Sequence, residues 1–260
     1  MSHLLPPFTK VLARRPSTTM AEGLTTSTHL GTPSHTRAKE QYDTYLKAVE
    51  ACGVEVTVAP TDERYPDGHF VEDPFVIYKT VAFECYSGAQ ERQGEAERLR
   101  PYLSDLQHIQ APPGAFIDGG DVLFCADRVL VGLSLRTNQE GIQALRQALQ
   151  TVQPDIRVDA VPFSGPLHLK SGLTELAPNV LIHDPALQTS YDLSWATVHT
   201  LPAEEGYAAD VMPINNTLFV PKGFPTALQV AQQYCDSVVA LDMSEFQKMD
   251  GGLTCLSLRY

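Results

Sequence analysis

The residue best suited to covalent chemistry in this sequence is a lone cysteine close to the carboxyl end. Cys255 follows the glycine pair Gly251-Gly252 and precedes an apolar, strand-like end. Glycine has no Cβ, so the backbone at this pair can turn sharply or approach a ligand closely. A cysteine nucleophile needs a base and an orienting carboxylate elsewhere in the chain. His168 and Asp118 are the candidates for these two roles.

Each of these three residues also has an ordinary structural explanation. Most cysteines are small buried hydrophobic residues, and a lone histidine on an apolar strand is commonly a core residue. Asp118 opens the stretch Asp-Gly-Gly-Asp, which by itself is typical of a turn. The catalytic interpretation therefore depends on the three residues occurring together.

A stretch rich in carboxylates, residues 62–73, offers a binding site for a cation. Glu72 and Asp73 are adjacent at the entry to a strand, so their side chains point in different directions, and one can face a pocket while the other supports it. Asp67 lies in a Pro-Asp-Gly turn. Guanidinium presents five donors in a fixed fork, for which carboxylates are the natural acceptors. The alternative is a solvated acidic loop.

Two arginines in ordered contexts are candidates for binding a negative group. Arg92 begins a predicted helix, and Arg136 lies between a predicted strand and a predicted helix. Arginine is better suited than lysine to a bidentate clamp on a carboxylate, because its planar fork matches the two oxygens. The alternative for each residue is a charge on the protein surface.

The composition excludes several classes of partner. The chain has 260 residues, of which 43% are hydrophobic and 19% are charged, as is typical of a globular protein with a sizeable core. The net charge of −12 argues against nucleic acid and against an anionic membrane surface, and it favours a cationic small molecule. No run of about 18 apolar residues occurs, so no transmembrane segment is expected.

The amino end and the cysteines indicate a cytoplasmic protein. Residues 1–8 are broken by proline and lack the basic region and the long apolar region of a signal peptide. The five cysteines are an odd number, widely spaced and without a Cys-x-x-Cys pair. This pattern predicts reduced thiols, and neither a disulfide framework nor a zinc ribbon.

Predicted strands and helices alternate along the whole chain. Helices are expected at residues 36–51, 91–106, 138–151 and 227–235, a hairpin at 75–85, and further strands at 10–13, 54–58, 116–125, 128–133, 157–161, 167–176, 180–183, 197–201, 218–221 and 238–241, with a last strand after Gly252. A unit of two or three strands and a helix recurs about every fifty residues, so five units would fill the chain. Periodicity alone leaves open a closed ring or a layered α/β sheet, although the short hairpin-like pairs argue against the layered sheet.

Five sequence motifs, in order along the chain, carry a resemblance to a known enzyme family. They are Phe-Val-Glu-Asp-Pro at 70–74, Asp-Gly-Gly-Asp-Val-Leu at 118–123, Val-Gly-Leu-Ser with Arg-Thr-Asn at 131–138, Leu-His-Leu-Lys-Ser at 167–171 and Asp-Gly-Gly-Leu-Thr-Cys at 250–255. With these motifs the chain resembles the dimethylarginine dimethylaminohydrolase family, whose superfamily includes arginine deiminases and amidinotransferases. Residues 11–16 and 23–25 also resemble the start of that family, so the resemblance covers almost the whole chain.

The resemblance implies a fold and an organisation. The fold is an α/β structure, the five-bladed α/β propeller of ββαβ modules known as the pentein fold, around a central substrate channel. Residues 1–260 would form a single catalytic domain, a monomer or a homodimer, that acts on a small guanidino substrate. The family's chemistry implies neither a metal nor an organic cofactor.

The resemblance also implies roles for individual residues. By this analogy Cys255 is the nucleophile, His168 is the general acid and base, and Asp118 is the carboxylate partner of the histidine. The remaining residues bind or cover the substrate: Glu72 and Asp73 at the guanidinium, Asp67 at the α-amine, Arg92 and Arg136 at the α-carboxylate, Leu24 in a lid, and Met249 as a further binding residue.

The implied reaction is hydrolysis of Nω-methylated arginines, asymmetric dimethylarginine and monomethylarginine, to citrulline plus dimethylamine or methylamine. The thiolate of Cys255 would attack the guanidinium carbon, and His168 would protonate the departing amine, leaving a covalent thiouronium intermediate. The same histidine would then take a proton from water. A cationic substrate beside the thiol would favour the thiolate.

Departures from the family pattern leave the substrate open. Many relatives carry Arg-Pro where this chain has Tyr86-Ser87, and asparagine where it has Asp210. The alternatives on the same scaffold are arginine deimination, hydrolysis of citrulline to ornithine, and amidino transfer. Deiminases of the superfamily are typically longer, with an inserted helical domain that is not visible in this sequence. A different class, a non-catalytic binder of cationic amino acids, is disfavoured by the intact catalytic set.

Overall fold

The computed structural model describes residues 7–260, so the first six residues, on which part of the argument against a signal peptide rests, lie outside the described residues. The strands are β1 (Lys10–Arg14), β2 (Glu55–Ala59), β3 (Phe75–Tyr78), β4 (Val81–Glu84), β5 (Gln107–Gln110), β6 (Val122–Phe124), β7 (Val129–Leu133), β8 (Val158–Ser164), β9 (Leu173–Ala177), β10 (Val180–His183), β11 (Gln188–Thr189), β12 (Thr197–Thr200), β13 (Met212–Ile214), β14 (Thr217–Pro221), β15 (Ser237–Leu241) and β16 (Ser257–Arg259). The α-helices are α1 (His35–Glu50), α2 (Gln139–Gln150), α3 (Leu169–Gly172), α4 (Pro225–Ala231) and α5 (Ser244–Gln247). Short 3-10 helices lie at Met20–Glu22, Thr28–Leu30, Gln90–Arg92, Glu95–Arg98, Arg100–Leu103, Gly119–Asp121, Ala203–Ala209 and Thr254–Leu256.

The strands form five small sheets. Their strand orders are β16-β1-β2, β3-β4-β5, β6-β7-β8-β11, β9-β10-β12 and β13-β14-β15. In each sheet one strand pairs antiparallel with one neighbour and parallel with the other, as β4 does with β3 and β5. The hairpin predicted at residues 75–85 is confirmed by this pairing. Five modules of one design therefore follow one another along the chain.

The first sheet joins the two ends of the described chain. Strand β1 pairs antiparallel with β16, with Leu12 opposite Leu258, and parallel with β2, with Leu12 opposite Thr57. The last strand thus completes the module that the first strand begins. This arrangement closes the five modules into the five-bladed α/β propeller, and it decides between the closed ring and the layered sheet that periodicity left open.

The parallel pair in each module requires a crossover connection, and the crossovers differ. Helix α1 connects β1 to β2, α2 connects β7 to β8, and α4 connects β14 to β15. The second module uses three short 3-10 helices instead, and the crossover of the fourth module, from β10 to β12, contains β11. The ββαβ unit is therefore regular in three of the five modules.

The single helix predicted at residues 91–106 is wrong. Gly94 adopts a positive φ of 102°, which interrupts an α-helix, and Pro101 lies inside the third 3-10 helix of this segment. Proline lacks the N–H that a helix interior needs, and its ring clashes with the preceding turn. The segment therefore folds as three short helical turns.

Three further elements differ clearly from their predicted bounds. Of the strand expected at 116–125, only Val122–Phe124 forms β6, because Gly119–Asp121 form a 3-10 helix. Residues 167–176 were expected to form one strand, but residues 169–172 form the single helical turn α3 and only the second half is the strand β9. The helix expected at 227–235 begins at Pro225 and ends at Ala231. Proline is favoured at a first helical position, which explains the earlier start.

Helix α1 connects the core to the carboxyl-terminal segment. Its side chains Tyr42 and Tyr45 are fully buried. The Tyr42 hydroxyl donates to the carbonyl oxygen of Leu256 at 2.8 Å, and the Tyr45 hydroxyl shares a hydrogen bond of 2.6 Å with Ser257 Oγ. The helix therefore fixes the backbone next to Cys255. Within residues 7–260, no helix is both long enough and apolar enough to cross a bilayer.

Candidate active site

Cys255 lies in a short 3-10 helix that connects the glycine pair to the last strand. A Cβ at Gly251 would collide with the ring of Phe70, and a Cβ at Gly252 would collide with the carboxylate of Asp210. The sequence indicated a sharp turn or a close approach to a ligand at this pair. The structure shows close approach to protein side chains, so the glycines allow the nucleophile segment to pack tightly.

His168 lies between two buried carboxylates. Its Nε2 atom is 3.3 Å from Asp118 Oδ2, and its Nδ1 atom is 3.9 Å from Asp73 Oδ1. His168 directly precedes α3. The first residue of this helix, Leu169, donates its N–H to Asp121 Oδ1 at 2.9 Å. One aspartate of the Asp-Gly-Gly-Asp stretch therefore contacts the ring, and the other anchors the backbone beside it.

The charge of His168 follows from these contacts. Burial by itself lowers the pKa of the imidazole, but the Asp73 carboxylate and the hydrogen bond with Asp118 outweigh it and raise the pKa to about 9. His168 is therefore protonated near neutral pH. An imidazolium in this position can donate a proton to a leaving group.

Gly120 has no side chain, which allows His168 and Asp73 to lie close to its backbone. A Cβ at this position would collide with His168 Nδ1 and would lie 2.8 Å from Asp73 Oδ1. The N–H of Gly120 donates to the same Asp73 oxygen at 3.0 Å. The sequence indicated a turn at this glycine, but not that its N–H contacts the carboxylate that faces His168.

Asp73 is a buried carboxylate held in its charged form. Arg92 forms a short ion pair with Asp73 Oδ2 and a second ion pair of 2.7 Å with Glu95. Burial opposes ionisation of Asp73, but Arg92 and then His168 outweigh it and lower the pKa of the carboxyl to about 2. A charged carboxylate in a cleft is suited to hydrogen bonds with a cation.

The Cys255 thiol is buried and surrounded by negative charge. Burial raises its pKa well above the ordinary value, and the charges of Asp210, Asp73 and Glu72 add to this effect. The thiol is therefore protonated at neutral pH when no cation lies beside it. A cation bound next to the sulfur would favour the thiolate, because an opposite charge stabilises the ionised form.

One cleft of about 320 Å³, including its open mouth, brings most of the predicted site residues together. The predicted residues that line it are Leu24, Asp67, Asp73, Arg92, Arg136, His168, Met249 and Cys255. The cleft is also lined by Phe70, Leu167, Asp250 and Gly251, which the sequence did not identify as binding residues. These four flank predicted site residues in the motifs. Asp118 contacts His168 but does not line this cleft.

Glu72 faces a different cavity from Asp73. Its Oε1 atom binds Arg259 Nη2 at 2.5 Å and Lys170 Nζ at 2.7 Å, and all three residues line a separate cavity. Adjacent side chains at a strand entry point in different directions. In this arrangement Glu72 forms ion pairs with two cations, whereas Asp73 is the carboxylate that faces the cleft with Cys255.

Asp67 and Arg136 supply further polar groups to the cleft. Asp67 Oδ2 accepts the N–H of Leu24 at 3.0 Å, so this carboxylate holds the loop that the resemblance describes as a lid. Asp67 Oδ1 is buried and has no hydrogen-bond partner among the described residues. A buried acceptor without a partner is suited to a donor on a substrate. Arg136 Nη1 lies 3.4 Å from Asp118 Oδ2.

Two charged residues outside the cleft were not identified from the sequence as site residues: Lys170, which is buried, and Arg259, whose side chain is 12% exposed. Lysine and arginine are almost never fully buried unless paired, so their positions within apolar segments were the available signal. Lys170 lies two residues after His168, and Arg259 lies in the final apolar strand. Their partner, Glu72, is distant in sequence and could not be assigned without the fold.

One group of residues in the described part of the chain has the spacing of a metal site. The possible ligand atoms of Asp73, Asp118 and His168 lie within 4.8 Å of one another. Both carboxylates already pair with cationic side chains, Arg92 and Arg136. The charges of the group are thus matched by the protein itself, and the expectation of no metal stays a prediction.

The chain is similar to known proteins over almost its whole length. A family model described as arginine deiminase matches residues 102–197. An enzyme of Pseudomonas aeruginosa named N(G),N(G)-dimethylarginine dimethylaminohydrolase is 33% identical, over 97% of this chain and 100% of its own length. The enzyme of the same name from Streptomyces coelicolor is 36% identical, over 97% of each chain. The chain belongs to the dimethylarginine dimethylaminohydrolase family.

Solved structures agree with this family membership. A cysteine-to-serine mutant of the Pseudomonas aeruginosa dimethylaminohydrolase, complexed with citrulline, matches with a TM-score of 0.90 and 31% identity, over 98% of this chain and 100% of that chain. The N-terminal domain of ArgZ, a cyanobacterial arginine dihydrolase, shares the fold with a TM-score of 0.85 at 17% identity, over 96% of this chain and 97% of that chain. The five modules are therefore the pentein fold, and the chain is a hydrolase of the dimethylaminohydrolase family.

Proposed function

We propose that this chain hydrolyses asymmetric dimethylarginine and monomethylarginine to citrulline plus dimethylamine or methylamine. The observation that carries the proposal is the single cleft that contains a buried thiol, a protonated imidazole and a charged carboxylate, Cys255, His168 and Asp73. These are the groups that nucleophilic attack on a bound guanidinium requires. The names of the Pseudomonas and Streptomyces relatives support the same substrate class.

The lining of the cleft supports a binding mode for the whole amino acid. Asp73 holds the guanidinium, and the unpartnered oxygen of Asp67 accepts from the α-amine. Arg136 binds the α-carboxylate, and Arg92, assigned there by resemblance, joins it by releasing one of its partners Asp73 and Glu95. Leu24 covers the substrate from the loop that Asp67 holds, and Met249 contributes to the wall of the cleft. Glu72, assigned to the guanidinium by resemblance, supports the site indirectly through Lys170 and Arg259.

The reaction begins when the guanidinium binds beside the thiol and favours its ionisation, so that the thiol proton leaves the cleft. The sulfur of Cys255 forms a bond to the guanidinium carbon. The bond from that carbon to the methylated nitrogen then breaks, and His168 gives its proton to the departing amine. The covalent product is a thiouronium group on Cys255.

Hydrolysis completes the reaction. The neutral His168 takes a proton from a water molecule, whose oxygen bonds to the thiouronium carbon. The bond from carbon to sulfur breaks, the remaining hydroxyl proton passes to the sulfur, and citrulline leaves with the thiol restored. Asp118 orients the imidazole in both steps, as the carboxylate does in other catalytic triads. We also propose that residues 1–260 act as one catalytic domain, since β1 and β16 complete one sheet.

The direct test measures citrulline and amine release with asymmetric dimethylarginine, monomethylarginine, arginine and citrulline offered in parallel. We expect turnover of the two methylated substrates and none of citrulline. Cys255→Ser should abolish turnover, whereas the matched variant Cys235→Ser should retain it, because Cys235 is not in the cleft. Full activity in the Cys255→Ser protein would refute the assignment of the nucleophile.

A second candidate activity is arginine deimination on the same site. It is favoured by the match of residues 102–197 to the arginine deiminase model. Both reactions release citrulline, but the second product is ammonia with arginine and a methylated amine with methylarginines. Ammonia release from arginine at a higher kcat/KM than amine release from the methylated substrates would select deimination.

A further inference from the structure

Asp210 contacts the segment that carries the nucleophile. It ends the 3-10 helix Ala203–Ala209 and is buried. Its Oδ1 atom accepts the N–H of Thr254 at 3.4 Å, and its Oδ2 atom accepts the Thr254 hydroxyl at 3.3 Å. Thr254 immediately precedes Cys255, and Gly252 packs so closely on Asp210 that a Cβ would not fit. The carboxylate therefore holds the turn that presents the thiol.

Within residues 7–260, no cationic side chain forms an ion pair with Asp210. The two cations whose charges act on it, Lys170 and Arg259, form their ion pairs with Glu72. Burial, with the Glu72 charge, raises the pKa of Asp210 to about 7, against the effect of Lys170 and of the Thr254 hydrogen bonds. The ionisable groups that act on Asp210 or Cys255 are Tyr45, Glu72, Asp73, Lys170, Tyr207 and Arg259.

We propose that Asp210 is a positioning residue for Cys255, and that the two side chains share a single negative charge. The inference rests on the proposed role of Cys255 as the nucleophile. Among the charged groups that raise the pKa of the Cys255 thiol, Asp210 has the largest effect. When Asp210 is protonated, its hydrogen bonds with Thr254 can persist while the opposing charge disappears. A thiolate at Cys255 therefore forms most readily when Asp210 is neutral.

Two coupled acids of this kind have a characteristic pH profile. Below the pKa of Asp210, the fraction of thiolate rises tenfold for each pH unit. Above this pKa, most molecules have already lost the Asp210 proton and carry their single negative charge on Asp210. The small thiolate fraction then stays nearly constant until the second proton of the pair is lost. The logarithm of the thiolate fraction therefore rises, flattens near pH 7, and rises again at higher pH.

The test is the rate of alkylation of Cys255 by iodoacetamide, a neutral reagent, between pH 5.5 and 8.5. Mass spectrometry of the Cys255 peptide separates this thiol from the other four cysteines. We expect the wild-type profile to flatten near pH 7 and the Asp210→Asn profile to rise without a break. One pH unit above the break, Asp210→Asn should react about tenfold faster than the wild type.

A break that persists in Asp210→Asn, or identical profiles in the two proteins, would overturn the proposal. Glu205→Gln is the matched control, because Glu205 is a buried carboxylate of the same 3-10 helix that accepts from Thr226 and Ala227. It should keep the wild-type break, and loss of the break in this control also counts against Asp210. If Asp210→Asn fails to fold, Thr254→Val keeps the carboxylate but removes a donor. It should move the break to higher pH, and an unmoved break contradicts the proposal.

Alkylation does not require turnover, so this experiment is independent of the proposed reaction. A chain that released no citrulline but showed the predicted profiles would lose its proposed function and keep the coupling of Asp210 to Cys255. An active enzyme with identical profiles would keep its function and lose the coupling.

Discussion

His168 Nε2 lies 3.3 Å from Asp118 Oδ2, with both side chains buried. Because the opposite nitrogen of the ring faces Asp73, the imidazole has a carboxylate on each side. Asp118 accepts the Nε2–H of the protonated ring, and the Asp73 carboxylate attracts its charge from the other side at 3.9 Å. The arrangement therefore fixes the orientation of His168 and its charge together, and several measurable consequences follow from it.

Replacement of Asp118 by asparagine should lower the pKa of His168. The hydrogen bond with Asp118 is one of the interactions that raise this pKa to about 9. In the proposed reaction His168 must carry a proton to the leaving amine, so activity falls at alkaline pH as the ring loses that proton. We expect the alkaline limb of kcat/KM to move to lower pH by about one unit in Asp118→Asn. An alkaline limb at the wild-type position would show that Asp118 does not control this titration.

The raised pKa of His168 also makes folding stability depend on pH. The folded-state pKa, about 9, is higher than the ordinary value of 6.5. The native state therefore binds the proton more tightly than the unfolded chain, and this stabilisation is fully present below pH 6.5 and is lost as the pH rises through 9. We expect a loss on the order of 3 kcal/mol. Urea unfolding at pH 6 and pH 9.5 measures it, with His168→Gln as the reference protein. An equal change in both proteins would contradict the prediction.

Substitution of Glu72 should lower stability, whereas substitution of Asp73 should lower activity. Glu72→Gln leaves Lys170 and Arg259 without their charged acceptor, and breaking a buried ion pair costs about 3–5 kcal/mol. Asp73→Asn removes the carboxylate that faces the cleft, while Arg92 keeps Glu95 as a partner. We expect Glu72→Gln to lower the free energy of unfolding, and Asp73→Asn to lower kcat/KM at least about 100-fold.

The control for the stability effect is Asp105→Asn. Asp105 pairs with Lys10 at 2.6 Å, and both side chains are about half exposed. An ion pair between exposed side chains contributes little to stability, so this variant should unfold close to the wild type. Equal losses of kcat/KM in Glu72→Gln and Asp73→Asn, measured on folded protein, would instead support two carboxylates at the guanidinium.

The sequence predicted which residues would lie together in the folded protein, but not the direction of each side chain. Cys255, His168 and Asp118 could be assigned because their motifs resemble those of a family, and the structure places Cys255 and His168 in one cleft with Asp118 in contact with His168. The direction of Glu72 could not be predicted, since it depends on Lys170 and Arg259, which approach from other modules only after folding. Long-range ion pairs of this kind leave no local pattern in the sequence.

The elements were predictable where local periodicity and packing agree. Helix α2 repeats apolar residues at helical spacing, and its Ile142, Leu145 and Leu149 are fully buried as expected. The segment 91–106 also has a charged, helix-like composition, but Gly94 and Pro101 interrupt it. The turn α3 was missed because an apolar run of this length is equally typical of a strand. Its helical form depends on the distant Asp121, which binds its first N–H.

Gly120→Ala should impair catalysis more than stability. The added methyl group would displace His168 Nδ1 and crowd Asp73 Oδ1, so the proton donor would lose its position. We expect kcat to fall at least about 100-fold, because small displacements of catalytic groups are costly. Gly53→Ala is the control, since Gly53 has a positive φ of 78° and open space around its Cα. It should lower stability through backbone strain and leave kcat unchanged. Equal kcat values in the two variants would contradict the prediction.

Asp67→Asn should affect recognition of the substrate's α-amine. Asp67 Oδ1 is the buried oxygen without a partner, while Oδ2 is already bonded to the N–H of Leu24. Asparagine can keep the bond to Leu24 with its carbonyl oxygen but presents an N–H₂ group, a donor, where the amine needs an acceptor. We expect KM for asymmetric dimethylarginine to rise about tenfold or more. An analogue without the α-amine should show similar KM values with the wild type and with Asp67→Asn. A large KM difference for that analogue would mean that Asp67 acts through the Leu24 loop and not through the amine.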